Sequence, residues 1–335
     1  MIQCRMGTFA ALSRCLVFLL FTSSLFFAGC TALPDTSGYT IATIQVKQAV
    51  ATTGDVVKEE LLSAINAEAT SADAKSVINF EKVWTVTLRS LDAMVVHAQS
   101  IEQIVDAGNK GSESAKAVAD SVKNLVDTVK VDTISGSTAK VFELSADTVA
   151  FVYGEYSKHV SAKSLEDALD KFGPSITKIT VLIQAQIGDA RRLFEEQIVA
   201  QNLKLETDQK YGSWIKRHNE LDKLAALATQ LLVQGVQNNN TSDIAKAKSM
   251  LADLDAASQM IEPRMAAYRQ EKDAIRQREK VGRSIIGSAE LAVAAWGSAH
   301  QQLVKAVKER KAVSVESLTA TITEIRTLIQ RWREL

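Results

Sequence analysis

Cysteine is nearly absent from this 335-residue chain: Cys4, Cys15 and Cys30 all fall in the first thirty residues. The rest carries no thiol, which excludes a disulfide framework or a cysteine metal site there and leaves stability to burial alone. Proline is as scarce, with three residues, and aromatics make up 6%. With few helix breakers beside much Ala, Leu, Val, Lys and Glu, the composition favours long helices.

Motifs for chemistry are also missing. There is no HExxH, no Glu-x-x-His pair, no Gly-x-Ser-x-Gly elbow, no Gly-rich dinucleotide loop and no phosphate-cradling GxxxxGK[ST]. His97, His159, His218 and His300 are scattered one to each expected helix; only Glu155 and His159 stand one helical turn apart, and they read as a surface pair. A bundle is nevertheless able to bring distant histidines to one level. No catalytic residue, metal ligand or cofactor is expected.

What the chain does have begins at its N-terminal end. Arg5 and Arg14 precede any acidic residue, and residues 15–28 form an apolar run too short to cross a bilayer comfortably. That pattern reads as a signal peptide. Its end, Phe27-Ala28-Gly29-Cys30, resembles the lipobox of bacterial lipoprotein precursors, departing from it at Phe27, where Leu is usual.

The resemblance covers only residues 1–30. It implies cleavage between Gly29 and Cys30, acylation of Cys30 and a firm membrane tether, because each buried methylene contributes roughly 0.8 kcal/mol. Thr31, in place of the aspartate that marks inner-membrane retention, implies the outer membrane facing the periplasm. A protein there acts on an envelope partner or on itself, and nucleic acid is not an expected partner.

The division expected is residues 1–29 signal peptide, 30–40 lipidated Cys30 and polar tether, and 41–335 one elongated helical domain. The fold class is all-α: an antiparallel long-helix bundle with coiled-coil character. The first helix carries Val77, Phe80, Trp84, Leu91, Ala98, Ile101 and Val105 as one apolar stripe. Gly54 is expected to nick it, residues 71–73 to restart it, and residues 106–112 to end it.

A second helix spans about 113–159, interrupted at 133–137. A short connecting helix over 163–171 ends at Gly173, and Pro174 opens a third helix to about Gln234. After a turn at 235–241, capped by Thr241 or Ser242, Ile244, Ala247, Leu251, Leu254, Ile261, Met265, Tyr268 and Ile275 keep a heptad that asks for a coiled-coil neighbour. Pro263 is expected to kink that helix without ending it, and a last helix starts at Ser314 or Ser317. Helices of about sixty residues, roughly 90 Å long, would make the body a rod.

Charge is zero overall but uneven: residues 31–173 hold 13 basic and 20 acidic side chains, and residues 174–335 hold 24 and 19. Complementary faces on helices from the two halves account for this. Two segments carry an alternative. Residues 284–299, rich in small residues, and 141–160, rich in aromatics, would be the inserting elements of a membrane-inserting protein resembling in outline the long-helix pore-forming toxins. Their plainer reading is bundle core. Ile322, Ile325, Leu328, Ile329 and Trp332 are expected to pack the last helix on the bundle.

Overall fold

A computed structural model describes residues 33–68, 71–106, 112–129, 139–159 and 164–335. Gly29 and Cys30, residues 107–111 of the turn expected over 106–112, and the interruption expected at 133–137 lie outside them. The described residues form helices throughout: α1 (Ser37–Glu68), α2 (Ser71–Asp106), α3 (Ser112–Val129), α4 (Ala139–His159), α5 (Leu165–Thr207), α6 (Gly212–Gln237), α7 (Thr241–Glu309) and α8 (Glu316–Arg333). The fold is an all-α helical bundle.

α5 is the hub, packing against α1, α2, α3, α4 and α7. A helix touched on so many sides needs a broad apolar surface, and α5 buries Leu165, Phe172, Ile176, Ile179, Leu182, Ile183, Ile187, Phe194 and Ile198. α8 closes the bundle by packing on α7 and α1, with Leu318, Ile322, Ile325, Ile329 and Trp332 buried. The Trp332 ring meets Phe194 edge-on, and its Nε1 donates to Glu59 Oε2 at 3.2 Å.

Residues 284–299 lie inside this bundle, with Ile285, Ile286, Ala289, Ala292, Val293, Trp296 and Gly297 buried. Their small side chains let α7 approach α5 closely. A Cβ at Gly297 would sit about 3 Å from the Thr180 side chain, and one at Gly282 would overlap the Phe194 ring.

α7 runs 69 residues through Pro263 without a break, roughly 100 Å. The bundle helices are 18 to 43 residues long. The body is therefore not a rod of equal helices. It is a bundle from which α6 and the first half of α7 project as a two-helix hairpin, since α6 packs on α7 and only briefly on α5.

Several boundaries differ from the sequence expectations. Gly54 does not nick α1; the helix runs through it, and the missing side chain makes room for the Trp84 indole. The tether expected over 31–40 is shorter, because α1 begins at Ser37, whose N–H donates to Asp35 Oδ1 at 2.8 Å, and Thr36 and Tyr39 are already buried. Gly173 does not end a helix: α5 starts behind Ser164, whose hydroxyl accepts from the Asp167 N–H at 3.2 Å, and continues through exposed Pro174. The carbonyl that the proline leaves without its helical bond belongs to exposed Asp170, while buried Phe172 and Ile176 hold the helix on either side.

The third helix expected to reach Gln234 instead breaks at Asp208, where ψ is 137°. Asp208 Oδ1 accepts from the Lys210 N–H at 2.8 Å, forming a side-chain turn, and the Asp208 carbonyl accepts from the Gly212 N–H at 2.7 Å. The hairpin tip is also tighter than expected. α6 continues to Gln237, Asn239 takes the left-handed φ of 49°, and Asn240, not Thr241 or Ser242, caps α7. Its Oδ1 accepts from the Ser242 and Asp243 N–H groups at 3.2 and 3.3 Å. At the other end α8 begins at Glu316, with no side-chain cap.

Candidate functional site: a projecting hairpin and a buried histidine pair

The hairpin has a measurable register. Tyr211 lies under Tyr268 with centroids 5.8 Å apart, Arg264 covers the Trp214 ring at 5.8 Å, and Gly235 sits against Ile244. The seam is the heptad read from the sequence. Trp214, Leu221, Ala228 and Gly235 recur every seven residues on α6, facing Ala247, Leu254, Ile261 and Tyr268 on α7.

Toward the tip, however, only Ala228, Gly235 and Ala247 are fully buried. Two helices cover only the seam between them, so the larger apolar residues stay open: Leu227 is 59% exposed, Val236 57% and Met260 72%, with Leu224 and Val233 exposed as well. Leu224, Leu227 and Met260 fall on one side of the arm and Val233 and Val236 on the other, so both sides offer apolar side chains to a partner.

The elbow joining hairpin to bundle is held by a polar knot. Buried Tyr211 donates to Glu271 Oε1 at 2.6 Å, Lys210 Nζ reaches the same oxygen at 2.8 Å, and Lys272 Nζ bonds Glu206 Oε1 at 2.8 Å. The Lys210 and Tyr211 hydrogen bonds hold the Glu271 carboxyl below its usual range, and the Glu271 bond raises Lys210. Beside the knot an open cleft of about 1010 Å³ is rimmed by Glu206, Asp208, His218, Arg269 and Lys272. Its rim mixes both charges, without a convergent set of ligands.

The basic stretch over 264–283 is paired in the same way. Arg276 bonds Asp273 at 3.3 Å, Arg283 bonds Glu279 at 2.9 Å, and Arg269 pairs with Glu262. Pairs across the two halves of the chain, Arg310 to Glu166 at 2.6 Å and Lys308 to Asp170 at 2.7 Å, fit the uneven charge.

Four helices bring their polar groups together inside the bundle. His97 of α2 and His300 of α7 stand 5.3 Å apart between ring centroids, both fully buried, with Tyr39 of α1 and Ser121 of α3 beside them. Ser121 donates its proton to the Val118 carbonyl at 2.8 Å, so it accepts from His97 Nδ1 at 2.8 Å, leaving Nε2 as a bare lone pair. Tyr39 Oη lies 3.5 Å from His300 Nδ1. With the hydroxyl as donor, His300 carries its proton on Nε2. Neither Nε2 has a hydrogen-bond partner.

Trp296 Nε1 donates to Thr43 Oγ1 at 3.2 Å on the same level. Burial pushes both histidines down, His300 to about 4 and His97 in the same direction with His300 adding to the effect. The pair is thus a neutral polar layer that acid disfavours. No group of three or more metal-ligating side chains occurs among the described residues.

The other two histidines stay apart. His159 Nε2 meets Glu155 Oε2 at 3.2 Å on α4, and His218 stands on the hairpin 3.6 Å from Asp222. The 141–160 segment packs as α4 through Val141, Ser145, Thr148 and Val152 on α3 and α5, with the Tyr156 hydroxyl donating to Asp120 at 2.8 Å. Among the described residues no helix is long and apolar enough to cross a membrane.

The elbow was not expected from the sequence, and the histidine pairing was only something that a bundle allows. The run Asp208-Gln209-Lys210-Tyr211-Gly212 was a turn signal for the first. No local signal marks the second, because its partners lie about two hundred residues apart. No family model, curated protein or solved structure matches the chain significantly.

Proposed function

We propose that this protein is a lipid-anchored helical scaffold or spacer of the bacterial envelope. Cys30 holds it to the outer membrane facing the periplasm, and it acts by protein binding, not by catalysis. The observation that carries the binding role is the projecting hairpin: its distal half leaves Leu224, Leu227, Val233 and Val236 exposed, and only Ala228, Gly235 and Ala247 are fully buried there. A bundle body with an apolar arm suits a protein that holds something at a distance from its anchor.

The anchor rests on the lipobox resemblance at Phe27-Ala28-Gly29-Cys30. From Cys30 to Thr36 the chain spans at most about 20 Å, so the bundle sits close to the membrane and the arm provides the reach. Membrane fractionation tests the anchor. Cys30→Ala is expected to release the folded protein into the soluble fraction; retention of that variant with membranes would contradict it.

A further inference from the structure

Seam positions on both hairpin helices repeat every seven residues, so the residue just before each of them also forms a row. Crossing the seam and reversing chain direction both invert the sense of a helical face, so in an antiparallel pair these two rows emerge on the same side. That side carries Glu220, Leu227 and Gln234 from α6 and Lys246, Asp253 and Met260 from α7, flanked by Leu231 and Met250. The six row residues are exposed, Leu231 and Met250 half-buried, and Glu220 and Gln234 lie at the two ends of the α6 row, away from the Met250 level.

The charges on this face have a symmetry of their own. Lys246 and Asp253 stand seven residues apart in one row, about 10 Å along the axis. Met250 lies at their midpoint, and in the hairpin register that level falls between Leu227 and Leu231. A twofold axis lying in this face at the level of Met250, at right angles to the helix axes, sets Lys246 of one copy against Asp253 of another and the converse, with apolar side chains of both copies between. No ion pair within the chain engages Lys246 or Asp253 among the described residues.

We propose that the partner of the hairpin is a second copy of this chain, paired antiparallel and tip over shaft through this face. Such an interface is isologous and closes at two copies. The overlap is about 30 Å by 20 Å, roughly 600 Å² per copy, short of the roughly 800 Å² of a standard stable interface. Pairing is therefore weak in solution. At cellular concentration it depends on the anchored reading, because confinement to a membrane raises the effective concentration, and both anchors reach that membrane when the paired arms lie along its plane.

Met250→Cys tests the pairing in the full-length chain. A cysteine on the twofold axis meets its own copy, so oxidation of membranes from cells making this variant should give a disulfide dimer. The parental chain and Lys248→Cys, which lies on the opposite face, should give none. In the Met250→Cys background, Lys246→Glu or Asp253→Lys should each reduce the dimer at least tenfold. The two together in one chain should restore it, and mixing the two single variants should yield the mixed dimer.

Failure of the anchor reads differently from failure of the pairing. If the anchor reading holds, Cys30→Ala with Met250→Cys should lose the dimer in dilute cell extract and regain it when the protein is concentrated. If that chain dimerises equally at both concentrations, confinement is unnecessary but the pairing stands. Absence of dimer in both settings, an adduct of any other mass, or dimer unaffected by the charge reversals would overturn the proposal.

Discussion

The bundle and the hairpin are written in the same heptad language and come out differently. In the bundle, the stripe of α7 that includes Ile285, Ala292, Trp296, Ala299 and Leu303 is wholly buried because α1, α5 and α8 surround it. In the distal hairpin, the stripe of Ile244, Leu251 and Leu254 on the same helix is only half-buried, because α6 alone covers it. A periodic apolar stripe reports that a helix has a partner; the number of partners decides how much of each side chain leaves water. One helix thus serves as core at one end and as docking arm at the other.

The widest separation between the regions should appear in core truncation. Trp296→Ala removes a fully buried indole and its bond to Thr43, and should lower stability by about 3–5 kcal/mol in urea unfolding. Leu227→Ala, at a site 59% exposed, should change it by less than about 0.5 kcal/mol. Equal costs would abolish the distinction.

Acid should act on the bundle through its histidine layer. The folded His300 value of about 4 lies below the ordinary 6.5, so the unfolded chain takes up the proton first. Stability is then full above about pH 6.5 and declines as pH falls toward 4, by on the order of 3 kcal/mol from His300 alone, with His97 acting in the same direction. Urea midpoints measured across that range should follow this curve, and His300→Gln should flatten it. A wild-type profile flat from pH 7 to 4 would show that the pair is hydrated or charged in the folded state.

Glycine substitutions sharpen the same contrast on a smaller scale. Gly282→Ala drives a methyl into Phe194, which is enclosed on all sides, and should cost about 1–3 kcal/mol. Gly235→Ala places a methyl 3.1 Å from Ile244, but a two-helix seam can splay and alanine favours the helix by about 1 kcal/mol. That change should be close to neutral in thermal unfolding.

The smallest effect belongs to the elbow. Tyr211→Phe deletes one hydrogen bond to Glu271, about 1 kcal/mol. It should speed hydrogen exchange at residues 208–212 and leave the amides of α5 before Thr207 unchanged. Faster exchange throughout α5 would mean that elbow and bundle open together.

The sequence made legible whatever repeats along one helix. The α7 heptad, the core role of residues 284–299 and the packing face of α8 all follow from spacing. Features made by one side chain meeting a distant one were hidden. Gly54 reads as a helix breaker until Trp84 lies across it, and Pro174 reads as a start until Ser164 and Phe172 carry the helix past it.

His97 and His300 are neighbours only because α2 and α7 pack at one level, which spacing within a helix does not encode. The hairpin's openness was hidden for a similar reason: a heptad specifies its seam and is silent about a third helix.

If the bundle is the body and the hairpin the binding arm, shortening the arm should remove binding and spare the fold. Residues 219–259 are replaced with a tight turn in the otherwise full-length chain, and cross-linking in intact cells is compared with wild type. The expected result is a bundle that unfolds cooperatively at the wild-type urea midpoint while the cross-linked species disappears. A shortened chain that still captures the same species, or that no longer folds, would contradict it.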